Sequence, residues 1–233
     1  MPVSSLFFDL DHTLWDYNTN SARTLRQLHQ KFYLQERAVD IDNLIRVFHQ
    51  VNTHLWDLTD RNLLNRDAIR TERFHRVLTA LGIDNFRFSL ELSEYYLAEL
   101  PRQSELMGGA RQLLEALRGR FTLVVITNGF DEIPGTKIES AGIGHFFADV
   151  VTSERAGDKK PSAQIFDYAL NRNSLLREEV LMVGDNLLTD IAGAANAGIR
   201  SVYFNPQRSG TPHGATYEIN HLDELMPILS GLN

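Results

Sequence analysis

No cysteine occurs among the 233 residues. That removes disulfides, thiolate nucleophiles and cysteine-ligated metals, while leaving the redox compartment open, because a chain without thiols suits any of them. Long apolar runs are missing too. Nothing approaches the roughly 20 residues that a membrane-spanning helix needs, and the first apolar stretch, Val3 to Phe8, has neither the length nor the charged leader of a secretory signal. The sequence reads as cytoplasmic, with no membrane contact. Basic charge is in deficit: Lys plus Arg number 23 against 30 Asp plus Glu, a formal charge of −7. A nucleic-acid backbone needs clustered Lys and Arg, so it is excluded as the main partner, while small anions remain compatible. Repeats and low-complexity segments are absent. The eight histidines form no carboxylate-assisted ligand cluster, and His29, His49 and His54 read as surface or packing residues.

What is present is an alternation. Val3 to Phe8, Leu123 to Ile126, Val150-Val151 and Val180 to Val183 are short runs rich in β-branched and aromatic residues. Each ends in Asp, Asn, Thr or Gly, as buried parallel strands do. Between them, Pro161 can open a helix through Ile165, Phe166 and Leu170, and Asp190 precedes an Ala-rich helix ending near Gly198. The pattern predicts an α/β fold, a doubly wound parallel sheet with right-handed crossovers. From about Tyr17 to Ser89 the apolar residues instead recur at helical spacing (Leu25, Leu28, Phe32; Leu44, Val47, Phe48, Val51, Leu55). The expected organisation is a core made of residues 1–16 and 94–233 with a helical insertion over 17–93. That insertion starts just after the first acidic signature, so it is read as a lid that excludes water and supplies substrate contacts. Asn205 to Gly214 reads as a loop, and Tyr217 to Leu229 as a tail packing back as a short helix.

Four polar signatures follow the strand-like runs: Asp9-Leu10-Asp11-His12-Thr13, Thr127-Asn128, Lys159-Lys160-Pro161 and Gly184-Asp185-Asn186 with Asp190. Parallel sheets bind ligands outside the carboxyl ends of their strands, where all four would converge. If the first strand continues, Asp9 and Asp11 point to the same side, and two close carboxylates repel unless a cation lies between them or one is protonated. With Asp185 and Asp190 added, a set of hard oxygen donors without His or Cys suits Mg²⁺. A small-molecule phosphate ester is the matching substrate. Lys160, Thr127 and Asn128 can hold its phosphoryl oxygens, Asp9 can act as nucleophile through an aspartyl-phosphate, and Asp11 can protonate the leaving oxygen and then activate water. Of the two adjacent lysines only one can face the site from an extended segment, and Lys160, immediately before Pro161, is the choice.

These residues resemble the four motifs of the haloacid dehalogenase superfamily. They stand as Asp9-Leu10-Asp11-His12-Thr13-Leu14, Ile126-Thr127-Asn128-Gly129, Lys160-Pro161 and Gly184-Asp185-Asn186-Leu187-Leu188-Thr189-Asp190. The insertion is similar in position to the superfamily's type 1 helical cap. The resemblance implies a nucleophile at Asp9, an acid/base at Asp11 and phosphoryl contacts from Thr127 and Lys160. It also implies Mg²⁺ held by the Asp9 carboxylate, the Asp11 backbone carbonyl and Asp185, with Asp190 in support. Phe8 to Asp16, Glu94 to Leu97 and Ile126 to Glu132 look closest to the 5'-nucleotidases acting on pyrimidine and non-standard nucleoside monophosphates. The chain departs from that branch at Ile133-Pro134-Gly135, where a Gln would be expected near Pro134. The alternatives are a phosphatase or phosphomutase of sugar phosphates, and a haloacid dehalogenase, which would need neither Mg²⁺ nor the second acid at Asp11.

Overall fold

Four of the observed strands coincide with the apolar runs of the sequence, and two more extend the sheet. In the computed structural model, which describes residues 2–232, these are β1 (Ser5–Phe8), β2 (Thr122–Thr127), β3 (Asp149–Thr152), β4 (Val180–Gly184), β5 (Arg200–Phe204) and β6 (Tyr217–Ile219). All neighbours are parallel, in the order β3-β2-β1-β4-β5-β6. Phe7 stands beside Val124 and Met182, and all three belong to one buried cluster with Ile126, Val151, Ile165, Phe166 and Ala194. Leu6, Leu123 and Leu181 alternate onto the opposite face and are equally buried. Apolar cover on both faces explains why these strands read as continuous runs. Each fully buried Leu, Phe or Met contributes about 1.5–3 kcal/mol. The strand order places β1 and β4 side by side where the direction of winding reverses, the point at which a parallel sheet opens a crevice at its carboxyl edge.

The chain divides into two units: residues up to Tyr17 together with those from Ser104 onward, which contain the sheet, and Asn18–Gln103. The second is helical, built from α1 (Tyr17–Lys31), α2 (Ile41–Asp60), α3 (Ala68–Ala80) and α4 (Phe86–Glu99). Asp40 caps α2 by accepting from the Asn43 N–H at 2.8 Å, and Asn85 caps α4 by accepting from that of Phe88 at 3.0 Å. Phe48, Phe74 and Tyr96 meet inside the bundle with ring centroids 4.8–5.4 Å apart. The guanidinium of Arg73 is buried beside them, 4.8 Å from the Tyr96 ring and 5.4 Å from that of Phe48. It donates to Asn52 Oδ1 at 3.1 Å, and its Nε and Nη2 have no hydrogen-bond partner among the described residues. The two ring faces offset part of that desolvation.

The expected boundary at 93/94 falls inside α4, so the helical unit is longer than the sequence suggested. Phe88, Leu92 and Tyr96 form one continuous buried stripe, and only the 3₁₀ turn Leu100–Arg102, containing Pro101, ends the run. The sheet unit adds α5 (Ala110–Leu117), α6 (Ile133–Ser140), α7 (Ser153–Ala156), α8 (Ala163–Asn173), α9 (Ala192–Asn196) and α10 (Leu225–Leu232). The helix expected to open at Pro161 begins two residues later, capped by Ser162, whose hydroxyl accepts from the Gln164 N–H. The tail read as helix from Tyr217 begins as β6 and turns helical from Leu222, first as a 3₁₀ turn (Leu222–Glu224) and then as α10. Among the described residues no helix is long and apolar enough to cross a membrane.

Candidate active site at the carboxyl edge of the sheet

Asp9 follows the last residue of β1 and remains tied to β4, its N–H donating to the Val183 carbonyl at 3.0 Å. Asp185 follows β4, and Asp190 sits in the helical turn Leu187–Ile191. The carboxylates of Asp9, Asp185 and Asp190 each offer an oxygen within 4.8 Å of the others. Lys160, 1% exposed, comes from the segment before α8. Its ammonium donates to Asp9 Oδ1 (2.5 Å), Asp190 Oδ1 (2.7 Å) and the Ile126 carbonyl (2.8 Å). The second oxygen of Asp190 accepts from the Asn186 N–H at 3.0 Å. That carboxyl is packed so tightly on Gly184 that a Cβ there would lie 2.5 Å from the Asp190 carboxyl carbon, which requires glycine at the end of β4. Asp185 is held by the Thr13 hydroxyl at 2.9 Å.

Three carboxylates face one ammonium, so the fully ionised cluster carries two uncompensated negative charges. The titration of its members follows from that imbalance. Burial pushes the Asp9 carboxyl up to about 7; the Lys160 ammonium opposes the rise, while the charges of Asp190 and Asp11 add to it. Burial, then Asp9 and Asp190, hold Asp185 well above the usual carboxylate range against the Thr13 hydrogen bond and Lys160. Burial alone would lower the Lys160 ammonium, but Asp190 and Asp9 outweigh it and hold its pKa above that of an ordinary lysine. An all-oxygen donor set with two excess negative charges fits a hard divalent cation such as Mg²⁺, which would supply the missing charge.

Asp11 is not part of this cluster. The expectation that its side chain would follow that of Asp9 assumed a continuing strand, but β1 stops at Phe8 and the backbone turns. His12 adopts a left-handed φ of 67°, its N–H donates to the Trp15 carbonyl, and those of Leu14 and Trp15 donate to Leu10. The Asp11 carboxylate instead accepts from Lys137 Nζ with both oxygens, at 2.6 and 2.7 Å. Lys137, on α6, was not singled out from the sequence. It follows no strand, and only tertiary structure brings it to Asp11.

Two expected phosphoryl contacts are also engaged within the protein. The Asn128 carboxamide pairs reciprocally with the backbone of Lys160, Nδ2 donating to its carbonyl (3.0 Å) and Oδ1 accepting from its N–H (2.8 Å). It therefore positions Lys160. The Thr127 hydroxyl, buried at the end of β2, accepts from the Gly129 N–H at 3.0 Å, which leaves its hydrogen to donate.

A family model described as haloacid dehalogenase-like hydrolase matches residues 3–198. The chain is 30% identical to the HAD-hydrolase YfnB of Bacillus subtilis, over 97% of this chain and 95% of the relative. It is 29% identical to the pyrimidine 5'-nucleotidases PynA of Streptococcus pneumoniae (96% of this chain, 94% of the relative) and YjjG of Escherichia coli (96% of each). A crystal structure of YfnB bound to magnesium superposes with a TM-score of 0.87 at 28% identity, covering 99% of this chain and 100% of that one.

Proposed function

Since the chain belongs to the haloacid dehalogenase-like hydrolase family, we propose that it is a Mg²⁺-dependent phosphomonoester hydrolase working through an aspartyl-phosphate, and specifically a 5'-nucleotidase on pyrimidine nucleoside monophosphates. The observation that carries this reading is the meeting of Asp9, Asp185, Asp190 and Lys160 at the carboxyl edge of the sheet. Mg²⁺, held by the carboxylates of Asp9 and Asp185 and the backbone carbonyl of Asp11 with Asp190 in support, would neutralise charge on the carboxylates and on the phosphoryl oxygens. Asp9 attacks phosphorus. Lys160, kept charged by Asp190, steadies Asp9 and offers its ammonium to a phosphoryl oxygen. Thr127 donates its hydroxyl hydrogen to another, and Asp11 gives its proton to the departing oxygen before taking one from the attacking water. The helical unit 18–103 is assigned the part of a cap.

The nucleotidase assignment draws on the two curated relatives of that name and on the resemblance of the segments around Asp9 and Asn128 to that branch. A carbon–halide hydrolase is disfavoured, because it has no use for Asp11 as a second acid. The experiment is a panel of UMP, dUMP, dTMP and sugar phosphates assayed with Mg²⁺. The expected result is a kcat/KM for the pyrimidine nucleotides at least about tenfold above the sugar phosphates. A uniformly low profile removes the nucleotidase label, and a preference for sugar phosphates moves the enzyme to that substrate class.

A further inference from the structure

We infer that Lys137 is a positioning residue for Asp11: it fixes the direction of that carboxylate and thereby governs protonation of the leaving group. The inference rests on the phosphomonoesterase reading above and adds to it a residue outside the four motifs. The pairing is one-sided in burial. The Lys137 side chain is 4% exposed and that of Asp11 33%, so the ammonium is the fixed partner and the carboxylate the presented one. Lys137 is itself aimed by its surroundings. Nζ lies 4.3 Å from the centroid of the Trp15 ring and 5.8 Å from that of Tyr17, an arrangement that favours a cation at that spot. Trp15 is fully buried and hydrogen-bonded into the turn that follows Asp11.

The segment Ile133-Pro134-Gly135, where the chain departs from the nucleotidase branch, opens the helix that carries Lys137. Pro134 lies in the first turn of α6, where a missing N–H has no helical partner to lose, and Lys137 follows one turn later. Lys137 holds both carboxylate oxygens of Asp11, while the Lys160 ammonium is engaged by Asp9, Asp190 and the Ile126 carbonyl. In the first step a bond forms between an Asp9 oxygen and phosphorus as the bond to the leaving oxygen breaks, and the Asp11 carboxylate, paired with the Lys137 ammonium, relays the proton of the phosphate-ester monoanion to that oxygen. In the second, water bonds to phosphorus as the Asp9–phosphorus bond breaks, and Asp11 takes a proton of the water and passes it to the departing phosphate. Lys137 exchanges no proton in either step; it determines where the Asp11 carboxyl is when each occurs.

The test compares an alkyl phosphate, whose leaving oxygen needs a proton, with p-nitrophenyl phosphate, whose leaving phenolate needs little help. Lys137→Met keeps the buried stem and removes the charge. In the full-length protein with Mg²⁺, it is expected to lower kcat/KM for the alkyl ester roughly 10- to 100-fold more than for the aryl ester, a part of what general acid catalysis is worth. Lys137→Arg is expected to restore most of the difference. Should the Met variant not fold, as judged by its thermal melt, Lys137→Gln carries the same comparison. An equal fall on both esters assigns Lys137 to structure alone and overturns the inference while leaving the enzyme reading intact. A wild-type protein that hydrolyses neither ester overturns that reading, and the inference with it.

Discussion

Asp9→Asn is expected to lower phosphate-ester turnover by roughly 10⁴-fold or more, the scale seen when a covalent nucleophile is removed, in a protein that still folds. The amide is nearly isosteric with the carboxylate and its oxygen can still accept from Lys160, but it does not attack phosphorus. The variant also lowers the charge of the acidic cluster, and this gives the prediction a second arm. Asp9 has a folded-state pKa of about 7 against an ordinary value near 3.8. Its contribution therefore favours the folded state below about pH 4 and is lost as pH rises through about 7. Without metal, the melting temperature of the wild type should fall relative to that of Asp9→Asn between those limits, and above pH 7 the variant should be the more stable of the two. Phosphate release and thermal melts in chelator measure both arms. Substantial turnover in the purified variant contradicts the assignment of Asp9.

The second large effect concerns the cation. Excess chelator should abolish turnover and Mg²⁺ should restore it, and the binding should be visible apart from activity. A ligand at a hundred times its Kd stabilises by about 2.7 kcal/mol, or roughly 5–10 °C in melting temperature for a chain of this size. Because Asp9 and Asp185 both hold protons above the usual carboxylate range, protons compete with the metal. The Mg²⁺-induced rise should be larger at pH 8 than at pH 5, and Asp185→Asn should remove most of it. Full activity in excess chelator, or a melting shift indifferent to Asp185, contradicts this arrangement.

Where the sequence was legible, it was so for a physical reason. Strands covered on both faces must be apolar at every position, so β1, β2, β3 and β4 stand out as runs, and their carboxyl ends coincide with Asp9, Thr127 and Asp185. β5 and β6 carry weaker signals. Arg200-Ser201 opens β5 with polar residues, and Tyr217-Glu218-Ile219 alternates as an edge strand does. The helical insertion announced itself by periodicity, yet its end did not, because the buried stripe of Phe88, Leu92 and Tyr96 runs past residue 93 without a break until Pro101.

Within the site, Asp9 and Asp185 were legible because strand ends place them, and Lys160 and Asp190 because they stand a short way beyond β3 and β4 beside a proline and a helical turn. The direction of Asp11 was not. It depends on the left-handed turn at His12 and on Lys137, 126 residues away in sequence, and neither leaves a periodic trace. Asn128 illustrates the same limit. Its residue type suits a phosphate donor and a clamp on the Lys160 backbone alike, and the clamp becomes visible only in the hydrogen bonds that it makes with Lys160.

A nucleophilic Asp9 requires phosphorus to pass through its carboxylate rather than directly to water. The most direct measurement is the stereochemical course of hydrolysis of a phosphorothioate monoester made chiral at phosphorus by sulfur and two oxygen isotopes, with the third isotope supplied by the solvent so that the inorganic thiophosphate released is itself chiral. Two in-line displacements, onto Asp9 and then onto water, predict net retention at phosphorus. Net inversion would mean a single attack by water, and Asp9 would then have no nucleophilic part.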